Sequence, residues 1–149
     1  MHSREFMERY KSGERNFDGV DLEGVDLRGE DLTEVDLSRA NMEDIRLAGA
    51  NLEESQLEAA RLYKANLRGA NLENVNVKNA DLSAANLEDA NLQNANLVGA
   101  ILYRANLKNA DLRQANLEGI ALRLTTLQGA NLEGACLNDT RMLDNLDFG

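Results

Sequence analysis

Residues 80–119 read ADLSA ANLED ANLQN ANLVG AILYR ANLKN ADLRQ ANLEG. Cut in fives, the stretch states one pattern eight times, with Ile101 its one departure: a small residue, Asp or Asn, Leu, then two variable and mostly polar positions. A strand alternates with period two and a helix repeats near 3.6, so a strict period of five fits neither as a continuous element. The pattern is that of a solenoid, in which each short unit buries its apolar residue only by stacking on its neighbours.

Outward from this stretch the phase holds without insertion from Arg15-Asn16-Phe17 to Thr140-Arg141-Met142, which makes 26 consecutive units in a chain of 149 residues. The central residue is Leu in 22 of them and Phe17, Met42, Val77 or Met142 in the others, so one type of apolar column forms the core along the whole length. Two positions earlier stands Ala in 15 units, Val or Ile in six, and Ser or Thr in three. Residues this small suit a second inward column that is too cramped for Leu. Between the two columns lies Asp or Asn in 18 units, whose short side chains hydrogen-bond nearby backbone and support turns. The last position is Gly, Asn or Asp in 17 of the 26 units, the residues that best tolerate positive φ. A tight turn is therefore expected in every unit, and a bend every five residues closes a polygonal coil.

Residues 1–14 lie outside the repeat. Ser3 suits an N-cap, Phe6, Met7 and Tyr10 share one helix face, and Gly13 suits a left-handed stop, which predicts a helix from about Arg4 to Lys11. Its task is to cover the backbone groups and apolar interior of the first coil. Glu30 occupies an inward position of that coil, where an unpaired charge is costly, and is expected to be tied to this cap, with Arg9, Tyr10, Lys11 and Arg15 in reach. After Met142 the phase fails, because Asp147 falls where a central Leu is due, and Leu143, Leu146 and Phe148 are expected to fold over the open end. The organisation is thus a capping helix over 1–14, a repeat body over 15–144 and a tail over 145–149.

The run A(D/N)LXX, as in Ala65-Asn66-Leu67-Arg68-Gly69 and Ala90-Asn91-Leu92-Gln93-Asn94, resembles the pentapeptide repeat family over residues 15–144. The lead-in RYKSGERNF, ending at Phe17, resembles bacterial and particularly cyanobacterial members. The resemblance implies an all-β solenoid: a right-handed quadrilateral β-helix of about six and a half coils, four units to the coil, with a short N-terminal capping helix. Residues 20 apart then stack at roughly 4.8 Å, and the rod is roughly 30 Å long.

Composition narrows the function. A net charge of −10 argues against direct nucleic-acid binding, which draws its affinity from clustered Lys and Arg. No apolar run approaches the roughly 18 to 20 residues that span a bilayer, so no membrane association is expected, and MHSREFMERYKSGERN is too polar for a signal peptide. The single cysteine, Cys136, has no intramolecular partner and is more at home in a reducing compartment, so the expected location is cytoplasmic. Catalysis needs groups that depart from the scaffold, and these are scarce. His2 stands near the terminus, Cys136 replaces an Asp or Asn of the repeat, and the acids follow the repeat rather than a spacing of their own. The reading is no enzyme, no catalytic residue, no metal and no cofactor.

What remains is surface. Sorted by units 20 apart, the outward positions fall on four faces of unlike character. The face built on Leu32, Leu52, Leu72, Leu92, Leu112 and Leu132 carries Asp31, Glu34, Glu53, Glu54, Glu73, Asp111 and Glu133 against one base, Arg113. The face built on Leu22, Met42, Leu62, Leu82, Leu102, Leu122 and Met142 holds Tyr63 and Tyr103 with Arg61, Lys64, Ile101, Arg104, Arg123 and Leu124 around them. It also holds four of the eight units that lack Asp or Asn before the central residue, at Arg61, Ile101, Ala121 and Arg141. Exposed aromatics beside Arg have the composition of interaction hot spots. A rigid, non-catalytic scaffold that binds an unidentified protein partner as a monomer is the expected function. The alternative, implied by the resemblance, is an acidic DNA mimic that occupies the DNA groove of a type II topoisomerase, gyrase, through the acidic face.

Overall fold

In a computed structural model the described residues are 1–141; the expectation for Leu143, Leu146 and Phe148 lies outside them. Apart from one helix, the β structure consists of isolated parallel bridges that join residues 20 apart, such as Asn66 to Asn86 and Asn86 to Asn106. Four units therefore complete one coil, and each wall of the coil contributes a single bridging residue per unit. Longer strands cannot form, because every corner from Gly19 to Asp139 has positive φ and turns the chain. The turn is imposed even on residues that resist it, Ala59, Ala84 and Leu124 among them.

Each coil is bonded to both neighbours. The N–H of Asn86 donates to the Ala65 carbonyl at 2.9 Å, and that of Leu87 to the Asn106 carbonyl at 2.7 Å. Within the unit, the Ala90 N–H donates to the Leu87 carbonyl at 3.1 Å and closes the corner. The Asp and Asn column does the structural work its chemistry allows. In all 18 such units a side-chain oxygen accepts the backbone N–H two residues on. Inside, the central column is buried from Phe17 to Leu127 and the small-residue column from Val35 to Thr125, while Val20, Val25 and Glu30 of the first coil are only partly buried. Burying each Leu contributes about 1.5–3 kcal/mol.

The helix α1, Ser3–Lys11, buries Phe6, Met7 and Tyr10. Its N-cap is His2, with no side-chain bond, so Ser3 is the first helical residue rather than the cap. The reason is that the His2 backbone is already extended, at ψ 164, while its carbonyl accepts the Phe6 N–H. At the other end Gly13, at φ 105, stops the helix as its composition predicts. Glu30 does not tie α1 to the first coil: it is half-buried and its side chain makes no hydrogen bond or ion pair among the described residues, while Arg9 is taken by Glu14 and Arg15 lies over the Tyr10 ring at 3.7 Å. The contacts that hold α1 are a Phe6–Phe17 ring pair with centroids 4.4 Å apart and a hydrogen bond of 2.8 Å from the Tyr10 hydroxyl to the Thr33 carbonyl.

One surface cluster near the N-terminal end gives the rod an acid-sensitive point. The Arg28 guanidinium and backbone N–H donate to Asp26, Arg46 faces it from the next coil, and together they bring its carboxyl down to about 2. The folded chain therefore holds fewer protons here than the unfolded one. The resulting stabilisation is complete above about pH 4 and is lost as pH falls through about 2. Between those values the melting temperature of the wild type is expected to fall more steeply than that of Asp26→Asn. Parallel thermal-melt curves for the two proteins would refute the assignment.

Candidate interaction walls

The wall that carries the two tyrosines is built by the bridge series Asp21, Asn41, Arg61, Asp81, Ile101. Outward residues one coil apart follow the same stacking: Lys64 donates its N–H to the Ser83 carbonyl at 3.0 Å, and Ala84 to the Tyr103 carbonyl at 2.8 Å. Tyr63 and Tyr103 thus stand two coils apart, with attachment points about 10 Å from each other. Both rings are exposed, at 40% and 37%, and Ile101 at 51% is the most exposed large apolar residue described.

Cations flank both rings. The Lys64 ammonium lies 5.3 Å from the Tyr63 centroid, and the Arg104 and Arg123 guanidinium carbons lie 5.4 and 5.7 Å from that of Tyr103. The wall therefore divides into two patches. Arg61, Tyr63 and Lys64 form one, in which Arg61 is already paired with Glu43 of the coil before. Ile101, Tyr103, Arg104 and Arg123 form the other, and none of its guanidinium groups has an ion-pair partner among the described residues.

A feature absent from the sequence reading lies beside the second patch. Along the four walls every pair of stacked bridge positions from Asn16 to Arg141 is joined, except one: Ile101 and Ala121. Three inter-coil hydrogen bonds present at every equivalent place in the middle of the rod are missing there among the described residues, from Gly99 to Glu118, from Leu102 to Ala121 and from Ala121 to Ala100. The neighbouring Arg104 to Arg123 bond is stretched to 3.3 Å. An opening of about 340 Å³ occupies the site, and Arg141, which the sequence marked on this wall only as a departure from Asp or Asn, joins its lining. Ile101 and Ala121 both lack the side-chain oxygen that supports the turn elsewhere. Ile120 also places a bulky residue over Ala100 in the small inward column. These are the signals the sequence held.

The acidic wall has an unbroken bridge series, Asp31, Asn51, Asn71, Asn91, Asp111, Asn131. Two of its acids are engaged locally. The Thr33 hydroxyl and N–H donate to Asp31, and the Arg113 guanidinium beside Asp111 holds that carboxyl below its usual range. Glu34, Glu53, Glu54, Glu73 and Glu133 have no ion-pair partner among the described residues and form the open part of the stripe. No group of three His, Cys, Asp or Glu able to hold a metal occurs among the described residues. No described helix is long and apolar enough to cross a membrane.

Comparison with known proteins places this geometry. Residues 16–53, 40–79, 80–119 and 105–142 match the family described as Pentapeptide repeats, in 8 copies. Among solved structures, a pentapeptide repeat protein from Nostoc Pcc 7120 is similar at 32% identity and a TM-score of 0.63, covering 67% of this chain and 80% of that one. A pentapeptide repeat protein of the Arabidopsis thaliana thylakoid lumen is similar at 33% identity and a TM-score of 0.54, over 65% of this chain and 71% of that one. QnrB1, a plasmid-mediated fluoroquinolone resistance protein, shares the fold at 19% identity and a TM-score of 0.56, over 84% of this chain and 66% of that one. No curated protein is a significant match to the chain. None of these likenesses indicates a catalytic family.

Proposed function

The chain belongs to the pentapeptide repeat family, whose members fold as right-handed quadrilateral β-helices, and from that premise we propose that it is a non-catalytic scaffold that binds a protein partner through its tyrosine wall. The rod this requires spans about six and a half coils over 15–144, capped by α1 and followed by a short tail, and works as a monomer in a reducing compartment such as the cytoplasm. The observation that carries the reading is the pair of exposed tyrosines, each flanked by cations on one wall of the rod. Rigid aromatic rings beside guanidinium groups supply contact area at low entropic cost, and a stack of bonded coils holds them in place before the partner arrives.

Replacing both Tyr63 and Tyr103 by Ser is expected to leave circular dichroism and melting temperature nearly unchanged, since outward side chains contribute little to the core. The same variant should lose most of the partner recovered by affinity capture from the native organism's lysate. Survival of binding in that variant, with its loss on charge reversal of Glu53, Glu54 and Glu73, would move the function to the other wall.

That second reading is the acidic DNA mimic directed at gyrase, favoured by the unpaired glutamates of the continuous acidic wall and by the fold shared with QnrB1. It ranks lower because the stripe is short and two of its acids are already engaged. A supercoiling assay separates the two: weak or no inhibition is expected, and potent inhibition at low micromolar concentration would reverse the order.

A further inference from the structure

The break in the tyrosine wall leaves three backbone donors, the N–H groups of Gly99, Leu102 and Ala121, without an acceptor among the described residues. Unpaired donors of this kind are uncommon in folded proteins and attract a hydrogen-bonding ligand. The opening at the break, lined by two of these donors' residues, Gly99 and Ala121, carries two guanidinium groups, Arg123 and Arg141, and no carboxylate among its lining residues. Donors and fixed positive charge converge here on a protein whose net charge is −10, so local and overall charge disagree at this place. The rest of the lining is apolar or aromatic: Ile101 at the rim, Tyr103 with Arg123 over its ring, and Gly99 and Gly119 at the two corners, of which Gly119 is open while the Asn79 side chain lies against Gly99.

We infer that this opening is a docking site for an acidic segment of a protein partner, in which an apolar side chain packs on Ile101 and Tyr103 while an adjacent carboxylate is held by Arg123, Arg141 and the free N–H groups. The inference deepens the proposed use of the tyrosine wall and rests on it. Charge complementarity decides the class of occupant: the carbonyls of any segment could accept from the backbone donors, but a basic or neutral one would leave both guanidinium charges without a counter-ion. The volume of about 340 Å³ suits one or two side chains rather than a folded surface.

The test uses the whole chain, labelled with ¹⁵N, and three synthetic hexapeptides: alternating Glu and Leu, the same with Gln for Glu, and the same with Lys for Glu. The acidic peptide is expected to shift the amide signals of Gly99, Leu102, Gly119 and Ala121 saturably, while the Gln and Lys peptides shift them little. Arg123→Gln with Arg141→Gln should weaken the acidic peptide by at least about tenfold, with the fold checked by circular dichroism. Tyr63→Ser lies outside the opening and should not affect the peptide. Peptide binding at these amides that survives while the partner of the wall is found to use another face would support the site and fail only the wider reading. Equal shifts by the Gln peptide, shifts mapped to other basic residues, or none at millimolar peptide would overturn the inference. So would binding that appears only after Asp144 and Asp147 are changed to Asn, because the chain's own acids would then be the occupant.

Discussion

Leu87→Asp is expected to abolish the folded rod, and Leu87→Ala to destabilise it by about 2–5 kcal/mol. Leu87 lies mid-rod, fully buried, with its N–H bonded to the next coil, its neighbour Asn86 bonded to the coil before, and its side chain in the central column. A carboxylate there has no polar partner in reach, and removing such a charge from water costs several kcal/mol beyond the lost packing. Units of a solenoid depend on their nearest neighbours, so a mid-rod fault deprives two half-rods of the interface each needs. Leu132 makes the comparison: it occupies the same column but is only partly buried, and Leu132→Asp should cost less. Circular dichroism and gel filtration read both outcomes. A folded Leu87→Asp that melts within about 5 °C of wild type would mean that the central column is not what holds the coils together.

Most of the fold was legible because each position of the unit answers to local geometry. The Leu column, the small column and the positive-φ corner are each set by where one residue points, and a period of five repeats that choice until it is unmistakable. The turn-supporting oxygens follow for the same reason, and the structure uses every Asp and Asn of that column as the residue type predicts. Illegible features depend on pairs. Arg61, Gln56 and Cys136 each lack the turn-supporting Asp or Asn, yet their bridges to neighbouring coils persist. Ala121 and Arg141 lack it on successive coils and still pair. The ladder opens only at Ile101 and Ala121, where two such absences coincide with Ile120 over Ala100, three residues that no single-position reading connects. Glu30 was misread for a related cause. An inward position is apolar only when a coil lies on each side, and in the first coil one side is closed by a helix whose two arginines, Arg4 and Arg9, already have partners nearer in sequence. The two tyrosine patches were visible as composition, while the opening beside Tyr103 was not, since it is made by missing bonds.

Phe6→Ala should cost about 3–5 kcal/mol, and the loss is expected to stay at one end of the rod. Phe6 is the most buried residue of α1 and its ring packs against that of Phe17, the first central residue. Without it α1 keeps the Tyr10 hydroxyl bond to Thr33 and the terminal amine bond to the Asp21 carbonyl, two polar contacts that compete with water. The Phe17, Leu22 and Leu27 amides, which donate to the next coil, then belong to a coil with one uncovered side. Their hydrogen exchange should accelerate by about two to four orders of magnitude, the factor that corresponds to this loss for amides exchanging by local opening. The Leu87 amide, several coils away, should keep its protection, because nearest-neighbour coupling passes a terminal fault on only weakly. Equal loss of protection at Leu87 would show the rod to be one indivisible cooperative unit, and no change at Phe17 would show that α1 is held by something other than this pair of rings.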